Sequence, residues 1–247
     1  MENIQIVISE NKKDLGKIAA HRGADLIPQA IIDRGKANII VATGASQFEM
    51  FNELVKEDID WSLVTAFHLD EYIGLPKTHP ASFRKYLKDR FVDIVSPKKF
   101  NYVNGNNDPY RECIRLGKLI SKYPIDIAFI GIGENSHLAF NDPPADFETE
   151  THYLVVTLDE GCRRQQMGEG WFPSIKNVPE KAISMSIKQI MKAKSIICCV
   201  PDLRKAEAVK KTIEGSVSPA IPASILRNQE AAWFYLDKDS SSMLSKT

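Results

Sequence analysis

Residues 125–143 read IDIAFIGIGENSHLAFNDP, and the reading of this stretch decides the fold. The apolar run at 125–130 suits a strand buried on both faces of a parallel sheet. It breaks at Gly131 and Gly133, and a polar cluster of Glu134, Asn135, Ser136, His137, Asn141 and Asp142 follows. Glycines just past a strand let the backbone approach a ligand and leave N–H groups free to meet an anion. His137, with the carboxylate of Asp142 five residues on, is a candidate acid/base pair near neutral pH. An ordinary polar surface loop is the competing reading, since glycine-rich strand ends are common in α/β folds.

Outward from this stretch the chain alternates two periodicities. On its N-terminal side, residues 4–9 read as a strand. Leu15, Ile18, Ala19, Ala24, Ile27 and Ile31 then recur at helical spacing up to Gly35. Strands are predicted at 37–42 and 63–69, with a helix through Met50 and Leu54 between them and another over 82–91. NGNNDP at 104–109 is a strong turn signal, and 110–121 reads as a helix. On the C-terminal side, strands are predicted at 153–157, 182–186, 195–200 and 231–236, and helices at 159–167, 203–214 and 223–227. The polar tail DKDSSSMLSKT reads as frayed. With no repeat, linker or low-complexity block, this alternation predicts one α/β domain over 1–247. Its expected form is a doubly wound, mostly parallel, Rossmann-like sheet with helices on both faces.

A chain of 247 residues, 43% of them hydrophobic, can bury the core such a domain needs. Lys+Arg and Asp+Glu both number 32, so no basic surplus argues for nucleic acid as a partner. No apolar run reaches membrane-spanning length, and MENIQIVISENKKD carries no signal-peptide pattern, so the expected setting is the cytoplasm. Cys113, Cys162, Cys198 and Cys199 form no CxxC pair and read as reduced, structural thiols.

In open α/β sheets, ligands bind outside the carboxyl ends of the strands. Four polar clusters fall at such ends: 43–46, Asp70-Glu71, 131–137 and 202–205. That regularity favours an active site over scattered loops. Thr43, Gly44, Ala45 and Ser46 join a strand to a helix, so their N–H groups and hydroxyls are candidates to hold a phosphate; a plain N-cap by Ser46 is the alternative. Lys205 either adds a point charge to the same anion or sits in solvent. Asp70 closes an apolar strand, where burial raises a carboxylate pKa toward that of a useful base; a turn cap is its alternative. No Cys/His set has zinc-site spacing, and neither GxxxxGK[ST] nor GxSxG occurs. Phosphate binding with acid/base chemistry remains, without a metal or a covalent nucleophile.

Two stretches now carry a resemblance. LDEYIGLPKTHPASF at 69–83 and GIGENSHLAFNDP at 131–143 resemble the signature segments of the glucosamine-6-phosphate deaminase/isomerase family, and the likeness runs from the turn at Thr43 to the helix at Lys205. The related 6-phosphogluconolactonases share the fold and a glycine–histidine loop but continue differently after Asp-Glu. The resemblance implies aldose–ketose isomerisation coupled to loss of ammonia, giving a ketohexose 6-phosphate, with no metal or organic cofactor. It puts ring opening on His137, the proton shuttle between C2 and C1 on Asp70, and orientation of the histidine on Asp142. The phosphate falls to residues 43–46 and Lys205.

The chain departs from the family pattern at four places. Asn135-Ser136-His137 stands for Asp-Gly-His, Asp142 stands for a glutamate, and the phosphate turn is Gly-Ala-Ser rather than Gly-Gly-Thr. The arginine expected before an aromatic pair is missing from GEGWF at 168–172, and Arg163 or Arg164 is the expected substitute. Glucosamine 6-phosphate and galactosamine 6-phosphate both stay open as substrates. Because asparagine carries no charge, ring opening is expected to depend on Asp142 more than on Asn135, and Asn135→Asp to be tolerated. A 6-phosphogluconolactonase-like hydrolase is one alternative, and LDEYIGL argues against it. A non-catalytic sugar-phosphate sensor is another, and the full set of Asp70, His137 and Asp142 argues against that. The expected partner is a small sugar phosphate, with neither nucleic acid nor membrane; assembly into a homo-oligomer stays open.

Overall fold

Residues 4–245 are described here, from a computed structural model. The chain forms β1 (Gln5–Ser9), α1 (Lys12–Arg34), β2 (Ala37–Val41), α2 (Phe48–Leu54), β3 (Val64–His68), β4 (Asp70–Tyr72), α3 (Phe83–Leu87), α4 (Asp93–Val95), β5 (Lys99–Asn101), α5 (Pro109–Ile120) and β6 (Ile127–Ile130). It continues with β7 (Tyr153–Thr157), α6 (Glu160–Gly168), β8 (Lys181–Met185), α7 (Ile187–Ile190), β9 (Ser195–Val200), α8 (Ala206–Glu214) and β10 (Ala232–Asp237).

Every residue of β2 is buried, because successive side chains enter two different cores. Ile39 and Val41 pack with Leu15 and Ile27 of α1, Phe51 of α2 and Phe129, while Ile40 packs with Leu116 of α5 and Val209 of α8 on the opposite face. Two-sided burial is why the strands read as unbroken apolar runs rather than alternating ones. Seven strands pair in parallel in the order β1-β10-β9-β6-β2-β3-β5. The chain leaves β2 toward β3 and β5, then returns to the other side of β2 at β6 and works back through β9 and β10 to β1. The loops that follow β2 and β6 therefore part company, and the crevice between them is where a sheet of this kind binds ligands.

The expected parallel α/β sheet is present, but it is not the whole fold. β4, β8 and β7 form a separate antiparallel sheet, with Asp70 opposite Ser184 and Val155 opposite Ile183. β4 and β5 are three residues each, too short for a readable alternation. The helix expected over 82–91 is interrupted, since a π-helical stretch, Lys88–Val92, separates α3 from α4. The tail is not frayed as far as it is described: Ser240 is buried against the Asp237 carboxylate, and Ser245 N–H donates to Glu214. Lys246 and Thr247 lie outside the described residues. Among the described residues no helix is long and apolar enough to cross a membrane.

One buried charge orders the segment after β4. Glu71 has no solvent exposure, and its carboxylate accepts the N–H groups of Tyr72 at 3.0 Å, Phe83 at 3.2 Å and Arg84 at 2.8 Å. The Ser82 hydroxyl at 2.9 Å and Arg84 Nε at 3.2 Å complete the set. Arg84 is itself buried and spends its remaining N–H groups on Leu75 O, Asn104 Oδ1 and Asn106 Oδ1. Removing one partner of such a pair strands the other charge in the interior, a loss of about 3–5 kcal/mol. Arg84→Ala should lower the unfolding free energy in urea by that amount. A loss below about 1 kcal/mol would show the pair to be no stronger than a surface contact.

Candidate active site

A cavity of about 230 Å³ occupies the crevice beyond β2 and β6. Thr43, Gly44, Ala45 and Ser46 form one side, with Gly44 at φ 97°, a conformation that side-chain-bearing residues rarely adopt. Gln47, fully buried, donates from Nε2 to Ile130 O at 3.0 Å and Ser46 Oγ at 3.1 Å, so it ties the loop after β2 to the end of β6. Gly131 lies directly across from Ser46. Lys205, at the end of the short 3₁₀ turn Leu203–Lys205, is only 5% exposed and lines the same cavity. Burial draws its pKa below the ordinary lysine value, against the opposing pull of Glu169 and Glu134.

Asp70 reaches the cavity from the start of β4, at 5% exposure, and its Oδ1 is buried without a hydrogen-bond partner. Burial, and secondarily the Glu71 carboxylate beside it, push its pKa well above the ordinary carboxylate range. His137 lines the cavity from the loop after β6, which turns back on itself: Gly133 N–H donates to His137 O at 3.0 Å. A side chain at Gly133 would run into the imidazole. His137 Nδ1 lies 3.2 Å from Asp142 Oδ1. Burial alone would raise the Asp142 pKa, but His137, Asn135 Nδ2 at 3.0 Å and Asp159 N–H at 3.1 Å outweigh it and hold the carboxyl below its usual value.

The structure thus gathers Asp70, His137, the 43–46 turn, Gly131, Gly133 and Lys205 around one cavity. Asp142 and Asn135 stand behind the imidazole and do not line it. Asn135 accepts the backbone N–H of His137 through Oδ1 rather than contacting the ring. The expectation that Asn135→Asp is tolerated took no account of a second carboxylate: Asn135 Nδ2 donates to both Asp142 and Asp159. Arg163 and Arg164 are corrected as well. Arg163 is held on the carbonyls of Ile175 and Val178, and Arg164 pairs with Glu160 on the surface of α6, so neither borders the cavity.

The cations that do border it, besides Lys205, are Lys12 and Arg204. Each already faces a carboxylate: Lys12 meets Glu49 at 3.4 Å, and Arg204 meets Asp202 at 3.1 Å. Lys12 opens α1 and lies far in sequence from the other cavity residues, so nothing local marks it. Gln165, Gln166 and Glu169 also line the cavity from the face of α6 opposite Arg164. Tyr72 O–H donates to Gln166 Oε1 at 2.7 Å, which leaves the Gln166 amide N–H groups for the cavity. His137, Asp142 and Cys162 have donor atoms within 4.8 Å of one another, a nitrogen–oxygen–sulfur set of zinc type, but both Asp142 oxygens are already engaged.

A family profile described as glucosamine-6-phosphate isomerases/6-phosphogluconolactonase matches residues 10–234. The chain is 36% identical over 243 residues to a glucosamine-6-phosphate deaminase of Listeria monocytogenes, covering 98% of this chain and 100% of that protein. A solved monomeric glucosamine-6-phosphate deaminase superimposes with a TM-score of 0.88 at 32% identity, over 97% of this chain and 100% of that one. A 6-phosphogluconolactonase from Trypanosoma brucei, at 16% identity and a TM-score of 0.80 over 98% and 99% of the two chains, shares the fold.

The placement of the cations separates two variants. Lys205→Ala should weaken binding of inorganic phosphate, followed by calorimetry, by about tenfold or more, the loss of one charge-assisted contact. Arg164→Ala should leave that affinity within about twofold, as a surface i,i+4 pair contributes little. Equal losses in the two variants would put the anion elsewhere.

Proposed function

The chain belongs to the glucosamine-6-phosphate isomerase/6-phosphogluconolactonase family, and on that premise we propose that it isomerises and deaminates a hexosamine 6-phosphate. The products are ammonia and a ketohexose 6-phosphate, fructose 6-phosphate when the substrate is glucosamine 6-phosphate. The observation that carries this reading is the pairing of two unlike proton-transfer groups across one cavity: a buried carboxylate with a raised pKa, Asp70, and an imidazole backed by a carboxylate, His137 with Asp142.

The phosphate binds at the 43–46 turn with Lys205, whose charge lies at the cavity wall, and Arg204 and Lys12 at its edge add long-range attraction. His137 takes the proton of the C1 hydroxyl and delivers it to the ring oxygen, which opens the pyranose. Asp70 removes the C2 proton from the open aldehyde as O1 takes one up, giving an enolamine, and returns it to C1 as the nitrogen gives one up. The resulting C2 imine adds water and releases ammonia, leaving the ketone. A base that must take a carbon-bound proton gains from a raised pKa, and Asp70 has one because it is buried beside Glu71. Phe48, Phe83 and Phe140 border the cavity and limit the access of bulk water during the proton transfers. The cytoplasm suits a phosphorylated substrate, and the buried free thiols Cys113, Cys162, Cys198 and Cys199 agree with a reducing compartment.

Ammonia release measured side by side with glucosamine 6-phosphate and galactosamine 6-phosphate tests the reading and selects the epimer. Release from neither sugar overturns it. Asp70→Asn should lower kcat by about 10²–10⁴-fold, the usual worth of a positioned base, while KM changes little. The pH dependence carries a sign. Asp70 works deprotonated and its pKa is raised, so activity present above that pKa is lost as pH falls through it. The acidic limb of kcat should therefore lie clearly above about pH 4, where an ordinary aspartate would put it.

A further inference from the structure

Asn135 is uncharged, yet two carboxylates converge on it. Its Nδ2 donates to Asp142 Oδ1 and to Asp159 Oδ2, each at 3.0 Å, so both amide protons are used. Its Oδ1 accepts the backbone N–H of His137 at 3.1 Å. Asp159 is tied in twice more. Its own N–H donates to Asp142 Oδ2 at 3.1 Å, and its Oδ1 caps α6 by accepting the Cys162 N–H. Asp142 then faces His137 Nδ1 at 3.2 Å. Residues 135, 137, 142 and 159 close a ring of contacts, and the amide of Asn135 separates the two negative charges in it.

We propose that Asp159 is a positioning residue for proton transfer at His137, acting through Asn135 and Asp142, and that its presence requires an amide at position 135. The proposal rests on the reading of His137 as the group that moves a proton in ring opening. Without an N–H donor between them, Asp142 and Asp159 repel, and Asp142 loses the fixed direction that faces it to the imidazole. The groups around the amide are Asp142 and His137 on its own loop, and Asp159 and Cys162 at the start of α6, with Asp70 beyond Cys162. The Cys162 thiol is kept protonated by its burial and by these carboxylates, so it adds no charge. In Asn135→Asp a third carboxylate takes the place of the donor, about 3 Å from two others, and three like charges so close do not all ionise.

The test uses the full chain in three forms: unaltered, Asn135→Asp, and Asn135→Asp with Asp159→Asn. Asparagine at 159 can still cap α6, so the double variant returns an amide to the ring without removing the cap. Asn135→Asp should lose about 10²-fold in kcat at neutral pH with KM within about threefold, and the double variant should recover at least tenfold of that. A second readout does not depend on the reaction. The added carboxyl has a folded-state pKa raised above its unfolded value, so its destabilisation is absent at low pH and complete above the folded pKa. The Tm deficit of Asn135→Asp should therefore grow as pH rises from about 4 to about 8 and shrink in the double variant. Unaltered kcat in Asn135→Asp overturns the proposal, as does a double variant no better than the single one in both kcat and Tm. If Asn135→Asp does not fold, the double variant must, and one that stays unfolded is equally fatal. If the unaltered protein releases no ammonia, the functional reading fails, and the Tm series alone decides whether the ring exists.

Discussion

A carboxylate cut off from water must find its donors inside the protein, and Glu71 finds five, three of them backbone N–H groups. Because those donors come from residues 72 and 82–84, the loop between them is closed at its neck by a single side chain. That closure sets Phe83 at the cavity wall and orients Tyr72, whose hydroxyl fixes Gln166 on the far side. It also leaves a second negative charge next to Asp70. One interaction therefore shapes the pocket and adds to the effect of burial in raising the Asp70 pKa. Asp-Glu-Tyr is placed as a unit: the first residue lines the cavity, the second anchors the loop, and the third aligns a neighbour.

Much of this was legible in the residues themselves. Two-sided burial writes itself as apolar runs, so the strands at 37–41, 64–68, 127–130 and 195–200 could be read, and with them the strand ends where the 43–46 turn, Asp70, His137 and Lys205 stand. What could not be read depends on facing. Arg163 and Arg164 sit on the helix that carries Gln165, Gln166 and Glu169 into the cavity, and the rotation of α6 decides which of these five point inward. Sequence spacing gives the periodicity of a helix but not its phase against a cavity still unseen. Asp159 was missed for a related reason. It reads as an ordinary helix cap, and its meeting with Asn135 depends on a packing of two loops that no local pattern records.

The 6-phosphogluconolactonase that shares the fold at 16% identity has the same arrangement of chain, and fold alone does not choose between hydrolysis and isomerisation. The reading of this chain as an isomerase rests on the residue placed just past the end of β3, Asp70. A proton carrier such as His137 serves either reaction, whereas a buried, electrostatically crowded carboxylate opposite it suits abstraction of a carbon-bound proton.

The sheet order has a temporal side. β1 pairs with β10, so Gln5 finds its partner in Trp233, almost the whole chain away. Local contacts form early in folding, and pairings across long stretches of chain wait for their entropy cost to be met by other contacts. On a ribosome the first strand leaves the exit tunnel long before its neighbour has been made. Until β10 arrives, β1 has no mate, and β9, the strand that leads into Lys205, presents a bare flank. The segments that meet around the 43–46 turn can assemble as β2, β6 and β9 emerge. The sheet they rest on is completed only by the last strand, so a nascent chain spends most of its synthesis with an apolar ribbon, residues 4–8, waiting for a partner.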